Sequence, residues 1–264
     1  MEQMTDFFRF GVIKTWRKLV AAVASPVIAA ISRSTTDRPG VFRSRYGVRM
    51  TGNWGDRTFR YCIFGTYGED LAEMLRSRSD PFQFIDIGAN QGLYSLIAGQ
   101  NPNCSLIVAF EPVPATFDLL SRNIALNGLE ARTALHRLAI AAQAGQAQIS
   151  LDDGHSGTAS LSGKSGATAS TTISIDTVDA EALDSILANP LPAIVKVDVE
   201  GLEDVVIAEL LKTSFAASIE GMFYEVDERW SDPDKMAGLL RCAGFNRFTK
   251  IGRGHHYDVY AERV

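Results

Sequence analysis

Three cysteines, Cys62, Cys104 and Cys242, are all that 264 residues carry. They lie far apart and form no C-x-x-C pair, so neither a disulfide framework nor a zinc site can be built from them. Such usage fits a reducing compartment, and a cytoplasmic setting is expected. The chain also lacks a run of about five to eight lysines and arginines, and its net charge is −5. Proteins that grip nucleic acid leave a basic stripe for the phosphates, so a nucleic-acid partner is disfavoured. No apolar stretch reaches the roughly twenty residues of a membrane span; the nearest candidate, Leu19 to Ile31, is interrupted by Ser25 and Pro26. No internal repeat is visible. Absent too are the G-x-G-x-x-G turn that cradles a dinucleotide pyrophosphate and any Tyr-x-x-x-Lys pair, which excludes a short NAD-dependent reductase.

What is present is a chain 46% hydrophobic, long enough to bury one sizeable core with appendages. Its most informative stretch is Phe84 to Gly92, F-I-D-I-G-A-N-Q-G. An apolar run breaks into an acid and two glycines just where a buried parallel strand should turn into a helix, Leu93 to Ala98. Ligands of open α/β sheets bind beyond such strand ends, where glycines let the backbone approach closely and the helix N-terminus faces the ligand. Asp86, Gly88, Asn90 and Gly92 fall there. A second apolar run, Leu106 to Phe110, ends in Glu111 and Pro112 one βαβ unit later, and an acid at that place can hold a ribose diol. With the pyrophosphate cradle missing, a phosphate-free nucleoside such as S-adenosylmethionine fits better than a dinucleotide.

A third buried strand, Ala193 to Val197, is followed by Asp198 and Glu200 and by a helix from Leu202 to Leu211. In a doubly wound sheet it lies beside the first strand, so these carboxylates come near the reacting end of the ligand. Glu225 ends a fourth run, Met222 to Val226, and would face the same crevice. Asp198, Glu200 and Glu225 are therefore the candidates to position an acceptor or take its proton. The spacing leaves two alternatives open: a structural salt bridge of these acids with Lys196, and Mg²⁺ held by the carboxylates. No metal site is assigned. Asn127 is a weaker cofactor candidate, because Asn123 to Gly128 also reads as a helix ending at a glycine.

The sequence resembles the FkbM-type S-adenosylmethionine-dependent methyltransferases. The likeness is carried by G-T-Y-G-E at Gly65 to Glu69, F-I-D-I-G-A-N-Q-G, A-F-E-P at Ala109 to Pro112, N-I-A-L-N at Asn123 to Asn127, and above all K-V-D-V-E-G at Lys196 to Gly201. It covers roughly residues 45 to 262. It implies a Rossmann-like α/β sandwich with a mostly parallel sheet closed by an antiparallel C-terminal edge hairpin. It also implies S-adenosyl-L-methionine as cofactor and a hydroxyl of a sugar or other natural product as acceptor. A catalytically silent S-adenosylmethionine-binding or assembly protein of the same fold is the alternative, since fold alone does not decide function.

Around this core, residues 1 to 40 read as a helical extension and 41 to 264 as the catalytic domain. Phe7, Phe8, Phe10, Ile13, Trp16, Leu19 and Val20 recur at helical spacing beside Arg9, Lys14, Arg17 and Lys18. Such a helix could pack on the domain or on a second subunit, or lie on a membrane surface; a cleaved signal is a further possibility. The alternation from Tyr46 to Phe64 around the Gly52 to Asp56 turn predicts a β-hairpin covering the sheet edge. A helix from Glu69 to Arg76 follows. Strands are expected at Ala134 to Ile140 and Gln146 to Leu151, then a mobile loop or lid from Gly154 to Thr172 with His155 inside it. Phe245 to Lys250 and His256 to Ala261 predict the final hairpin, with His255 and His256 as solvated residues at its turn.

Overall fold

The computed structural model describes residues 40–66, 68–152, 156 and 170–264; the N-terminal extension, His155 and most of the Gly154 to Thr172 stretch lie outside them. The sheet is laid down by short apolar runs that can be buried on both faces. Strands β3 (Phe82–Ile87), β4 (Cys104–Phe110) and β9 (Ala193–Val197) are nearly or wholly buried, as expected where helices cover a parallel sheet on both sides. With β5 (Thr133–His136), β10 (Ile219–Asp227), β11 (Arg247–Ile251) and β12 (His256–Glu262) they form seven strands in the order β11-β12-β10-β9-β3-β4-β5. β3 runs parallel to both β4 and β9, β10 parallel to β9, and β12 antiparallel to β10 and β11. The fold is thus Rossmann-like α/β with an antiparallel C-terminal hairpin. The sequence reverses direction between β4 and β9, on either side of β3, and there the crevice opens.

Alternation along β3 divides the core. Phe82 and Phe84 point into a cluster with Leu71, Leu75 and Leu96, from helices α2 (Glu69–Ser77) and α3 (Leu93–Gln100). Ile85 and Ile87 point to the other face, with Val206, Ile207 and Leu240 of helices α6 (Glu203–Lys212) and α7 (Pro233–Cys242). Between α3 and α6 in the chain, α4 (Pro114–Leu126) follows β4 and α5 (Ala180–Ile186) precedes β9. Among the described residues no helix is long and apolar enough to cross a membrane.

The segment before α2 departs from expectation. Its hairpin joins β1 (Val41–Arg43) and β2 (Arg49–Thr51), whereas Arg57–Phe64 is helix α1. Asp56 caps that helix by accepting from the Phe59 backbone N–H at 2.9 Å, Phe59 and Cys62 bury one face, and Gly65 ends it in the left-handed region at φ 60°. The apolar positions satisfy a helical period better than a period of two once the cap is counted. Nor does the hairpin cover a sheet edge. The Thr51 and Arg49 amides donate to the side chains of Asn123 at 2.7 Å and Asn127 at 3.0 Å, seating β2 on α4 and its cap. Replacing Asp56 by alanine is expected to cost about 1 to 2 kcal/mol, seen as a fall of roughly 4 °C in the melting midpoint; an unchanged midpoint would rule the cap out as a stabilising element.

A second, three-stranded sheet is the other departure. β6 (Ala139–Ile140), β7 (Gly145–Asp152) and β8 (Ser170–Val178) are ordered β6-β8-β7. The expected strand Ala134 to Ile140 is therefore split between two sheets, and the end of the expected loop, from Ser170, is already strand. Ile149 and Ile175 of this sheet pack against Val113.

Candidate active site

Three backbone turns bring the site together. At Gly88, φ is +73°, and a Cβ there would stand 1.9 Å from the carbonyl oxygen of Asp198, so the ends of β3 and β9 touch backbone to backbone. The amides of Gly88 and Ala89 donate to the Phe110 carbonyl at 3.0 and 2.9 Å. Asn90 adopts φ 51° and aims its own N–H at Glu111 Oε2, 2.9 Å away. The other Glu111 oxygen accepts from the Val113 amide at 3.0 Å. Glu111 is 6% exposed, and burial, only partly offset by these two amides, pushes its carboxyl up to about 7.

These residues open on a cavity of about 310 Å³, at the lower end of small-molecule sites. Asn90, Glu111 and Pro112 form one part of its wall, and Lys196, Asp198, Glu200 and Glu225 another. Ile140, Ile149 and Ile175 of the second sheet supply an apolar side, and Thr58 and Tyr61 of α1 close it from the N-terminal side. The carboxyl oxygens of Asp198, Glu200 and Glu225 lie within 4.8 Å of one another. Burial first, and then the charges of Asp198 and Glu225, push Glu200 up to about 9. Burial and Asp198 push Glu225 up to about 7, against the pull of a hydrogen bond from His256. Glu203 fixes the turn carrying these acids by accepting from the Val199 and Gly201 amides at 3.2 and 3.1 Å.

Lys196 is the cation at the base of the cluster. Its Nζ donates to the Gly88 carbonyl at 2.7 Å and pairs with Asp198 at 3.3 Å and with Asp86 at 3.6 Å. The structural salt bridge left open by the sequence thus exists, but as Asp86–Lys196–Asp198. Asp86 itself is fully buried and receives Ser95 N–H and Oγ–H at 3.1 and 2.7 Å. It builds the floor and does not line the cavity.

Two more of the expected cofactor residues make their contacts within the fold. Gly92 starts α3 at φ 91°, where a Cβ would meet Leu120 Cδ1 at 2.6 Å. Asn127 spends its side-chain amide on the carbonyls of Arg49 and Asn123, both at 2.7 Å. Both stand outside the lining, because helix packing and the β2 contact claim them. His256, expected at a solvated turn, instead lines the cavity with Nε2 2.6 Å from Glu225 Oε1. The available signal was the cross-strand diagonal: β12 beside β10 sets Asp258 opposite Glu225 and His256 opposite Asp227. His255 does stay exposed, paired with Glu228. Thr58 and Tyr61 reach the cavity from helix α1, where the alternation of the sequence predicts a strand.

A seven-stranded Rossmann-like sheet with an acid-walled crevice at its topological switch point, a left-handed glycine turn after the first central strand and a buried acid after the second make up the architecture of the Rossmann-like methyltransferases. The methyltransferase FkbM domain matches residues 86–247, more than half of the chain, which belongs to that family. Methyltransferase sdnD of Sordaria araneosa is 45% identical over 65 residues, 25% of this chain and 24% of that protein. Among solved structures, the ribosomal protein L11 methylase of Lactobacillus delbrueckii subsp. bulgaricus is similar over 73% of this chain and 77% of its own, with 13% identity and a TM-score of 0.41. TrmK of M. capricolum, solved with S-adenosyl-homocysteine, is similar over 75% of this chain and 69% of its own, with 12% identity and a TM-score of 0.45.

Proposed function

We propose that the chain transfers a methyl group from S-adenosylmethionine to a hydroxyl of a sugar or another natural product. Glu111 carries this assignment. Two backbone amides already orient its carboxylate, and the residue lies on the cavity wall, so each oxygen keeps a lone pair for a ribose hydroxyl. The Gly88 turn fits the same ligand, because the backbone is bare where an adjoining nucleoside must come close. When bound, the donor supplies an electrophilic methyl group on a positively charged sulfur. The isoleucines of the second sheet keep water away, and the acid cluster holds the acceptor hydroxyl in line with the methyl group. A small hydroxylated acceptor, a cytoplasmic setting and a membrane or subunit contact through the N-terminal segment complete the proposal. It is supported by the acidic balance and by the free thiols of Cys62, Cys104 and Cys242.

Calorimetric titration with S-adenosylmethionine, S-adenosylhomocysteine and NAD tests the cofactor. Both sulfur nucleosides should bind, and Glu111→Gln should weaken S-adenosylhomocysteine about thirtyfold, the worth of a hydrogen bond to a charged group. Only ionised Glu111 accepts from both hydroxyls, and burial has moved its titration to about 7. Wild-type affinity should therefore rise about tenfold between about pH 6 and pH 8 and that of Glu111→Gln should stay flat. Binding of NAD alone would overturn the assignment. Transfer of labelled methyl to a panel of methyl glycosides then tests the acceptor class, and donor binding without any transfer would favour the silent protein.

A further inference from the structure

We propose that His256 is the general base of this site, taking the acceptor hydroxyl's proton on Nδ1, and that Glu225 is the positioning residue that orients its ring. The inference rests on the O-methylation reading above and deepens it.

The geometry of the pair comes first. Glu225 near the end of β10 and His256 at the start of β12 both line the cavity, with Nε2 and Oε1 2.6 Å apart. A carboxylate at that distance accepts from Nε2–H, which fixes the tautomer and leaves the lone pair on Nδ1. The Glu225 side chain is 13% exposed and that of His256 58%. The pair is anchored at its carboxylate end and open at the ring, so a proton taken from an acceptor can pass on to water.

The other acids of the cluster are poorer bases. Asp198 is neutralised by Lys196 at 3.3 Å. Glu200, pushed up to about 9, already carries a proton at neutral pH and cannot take another. Glu225 is occupied by the imidazole. Around His256 stand Glu225 and Asp227 on β10, Asp258 on its own strand, and Asp198 and Glu200 from the turn after β9; Lys196 and Arg229, the latter bound to Asp227, are the cations on this side. The acidic neighbours, Glu225 foremost, outweigh burial and hold the imidazole above its ordinary range, which suits a base working near or just above neutral pH.

In the transfer step the acceptor oxygen bonds to the methyl carbon as that carbon's bond to sulfur breaks, the electron pair staying on sulfur. The O–H bond breaks toward Nδ1, and the Glu225 carboxylate stabilises the imidazolium until the proton reaches solvent. Because the unprotonated ring is the active form, the rate rises with pH through the pKa of His256 and then levels off.

The test joins a spectroscopic and a kinetic measurement on the full chain. Long-range ¹H–¹⁵N correlation of ¹⁵N-histidine protein, without ligand, should place the neutral-ring proton on Nε2, and Glu225→Gln should lower the His256 pKa by about one unit. With labelled methyl transfer to the methyl glycoside that turns over, His256→Gln should lower kcat about a hundredfold. It should also abolish the pH-dependent rise and leave S-adenosylhomocysteine affinity within about twofold, the last reporting an intact fold. Glu225→Gln should lower kcat about tenfold and move the rise to lower pH. A His256→Gln enzyme that keeps its rate, or keeps the pH-dependent rise, overturns the proposal, as does a proton found on Nδ1. If the wild type binds S-adenosylhomocysteine and methylates no glycoside, the O-methylation reading itself fails and takes the proposal with it, a result distinct from an active wild type matched by His256→Gln.

Discussion

Replacing Lys196 by methionine is expected to destabilise the protein by about 3 to 5 kcal/mol and to lower its melting midpoint by roughly 10 °C. Methionine preserves most of the stem volume, so the loss isolates the charge. Lys196 is 4% and Asp86 0% exposed. Asp86 Oδ1 has no hydrogen-bond partner among the described residues, and its charge is met by the ammonium 3.6 Å away. Without that ammonium the buried Asp86 carboxylate is left without its counter-charge, and the Gly88 carbonyl loses its donor. Burial alone would lower the lysine's pKa; Asp198 and Asp86 more than reverse this and leave it raised above 10.5. A raised lysine contributes fully below its unfolded pKa and loses its contribution as pH climbs through the folded one, so the lysine's contribution is constant across neutral pH and fades in strong alkali. Adding Asp86→Asn to the methionine variant should recover part of the loss, because the uncompensated charge is removed with it. A midpoint within about 3 °C of wild type, roughly 1 kcal/mol, would show that the triad contributes nothing net.

The second large effect is expected at Gly88. An alanine there meets the Asp198 carbonyl at 1.9 Å with φ at +73°, and neither atom belongs to a flexible side chain that could swing away. Left-handed strain costs about 1 kcal/mol or more and the overpacked backbone about 2 more, so thermal melts should show a fall of roughly 8 °C or more. Function should suffer beyond stability. Parting the ends of β3 and β9 displaces Asn90 and Asp198 together, and S-adenosylhomocysteine affinity measured well below the midpoint should drop about a hundredfold, the cost of misplacing a preorganised site by about 1 Å. Unchanged affinity in a folded Gly88→Ala protein would mean the close approach is not needed for the ligand.

Both residues lie in stretches that the sequence marks plainly, and this bears on what is legible in advance. β3, β4 and β9 are short, mostly apolar runs followed directly by a glycine or an acid, the pattern of a buried parallel strand that ends at a ligand crevice. The nearness of Asp198, Glu200 and Glu225 followed from strand order alone. What the sequence does not display are contacts between distant segments. Thr58, Phe59, Tyr61 and Ile63 alternate like a strand, but the Asp56 cap and the burial of Phe59 with Cys62 make a helix of them. Asp86, Gly92 and Asn127 are claimed by Ser95, Leu120 and β2, partners that only the folded chain supplies. His256 gains its partner across two strands, so no local pattern reveals it.

The small β6-β8-β7 sheet has an implication for how members of this family can diverge. Ala139 pairs with Thr177 and Ile140 with Val178, so the chain leaves the main fold and returns to it at neighbouring positions. An excursion whose two ends sit side by side can be lengthened, trimmed or exchanged for another without moving either anchor. Since Ile149 and Ile175 wall the cavity, that freedom is coupled to what the cavity admits: the shape presented to an incoming molecule can be rewritten within one interchangeable segment, while Glu111 and the Gly88 turn lie outside it.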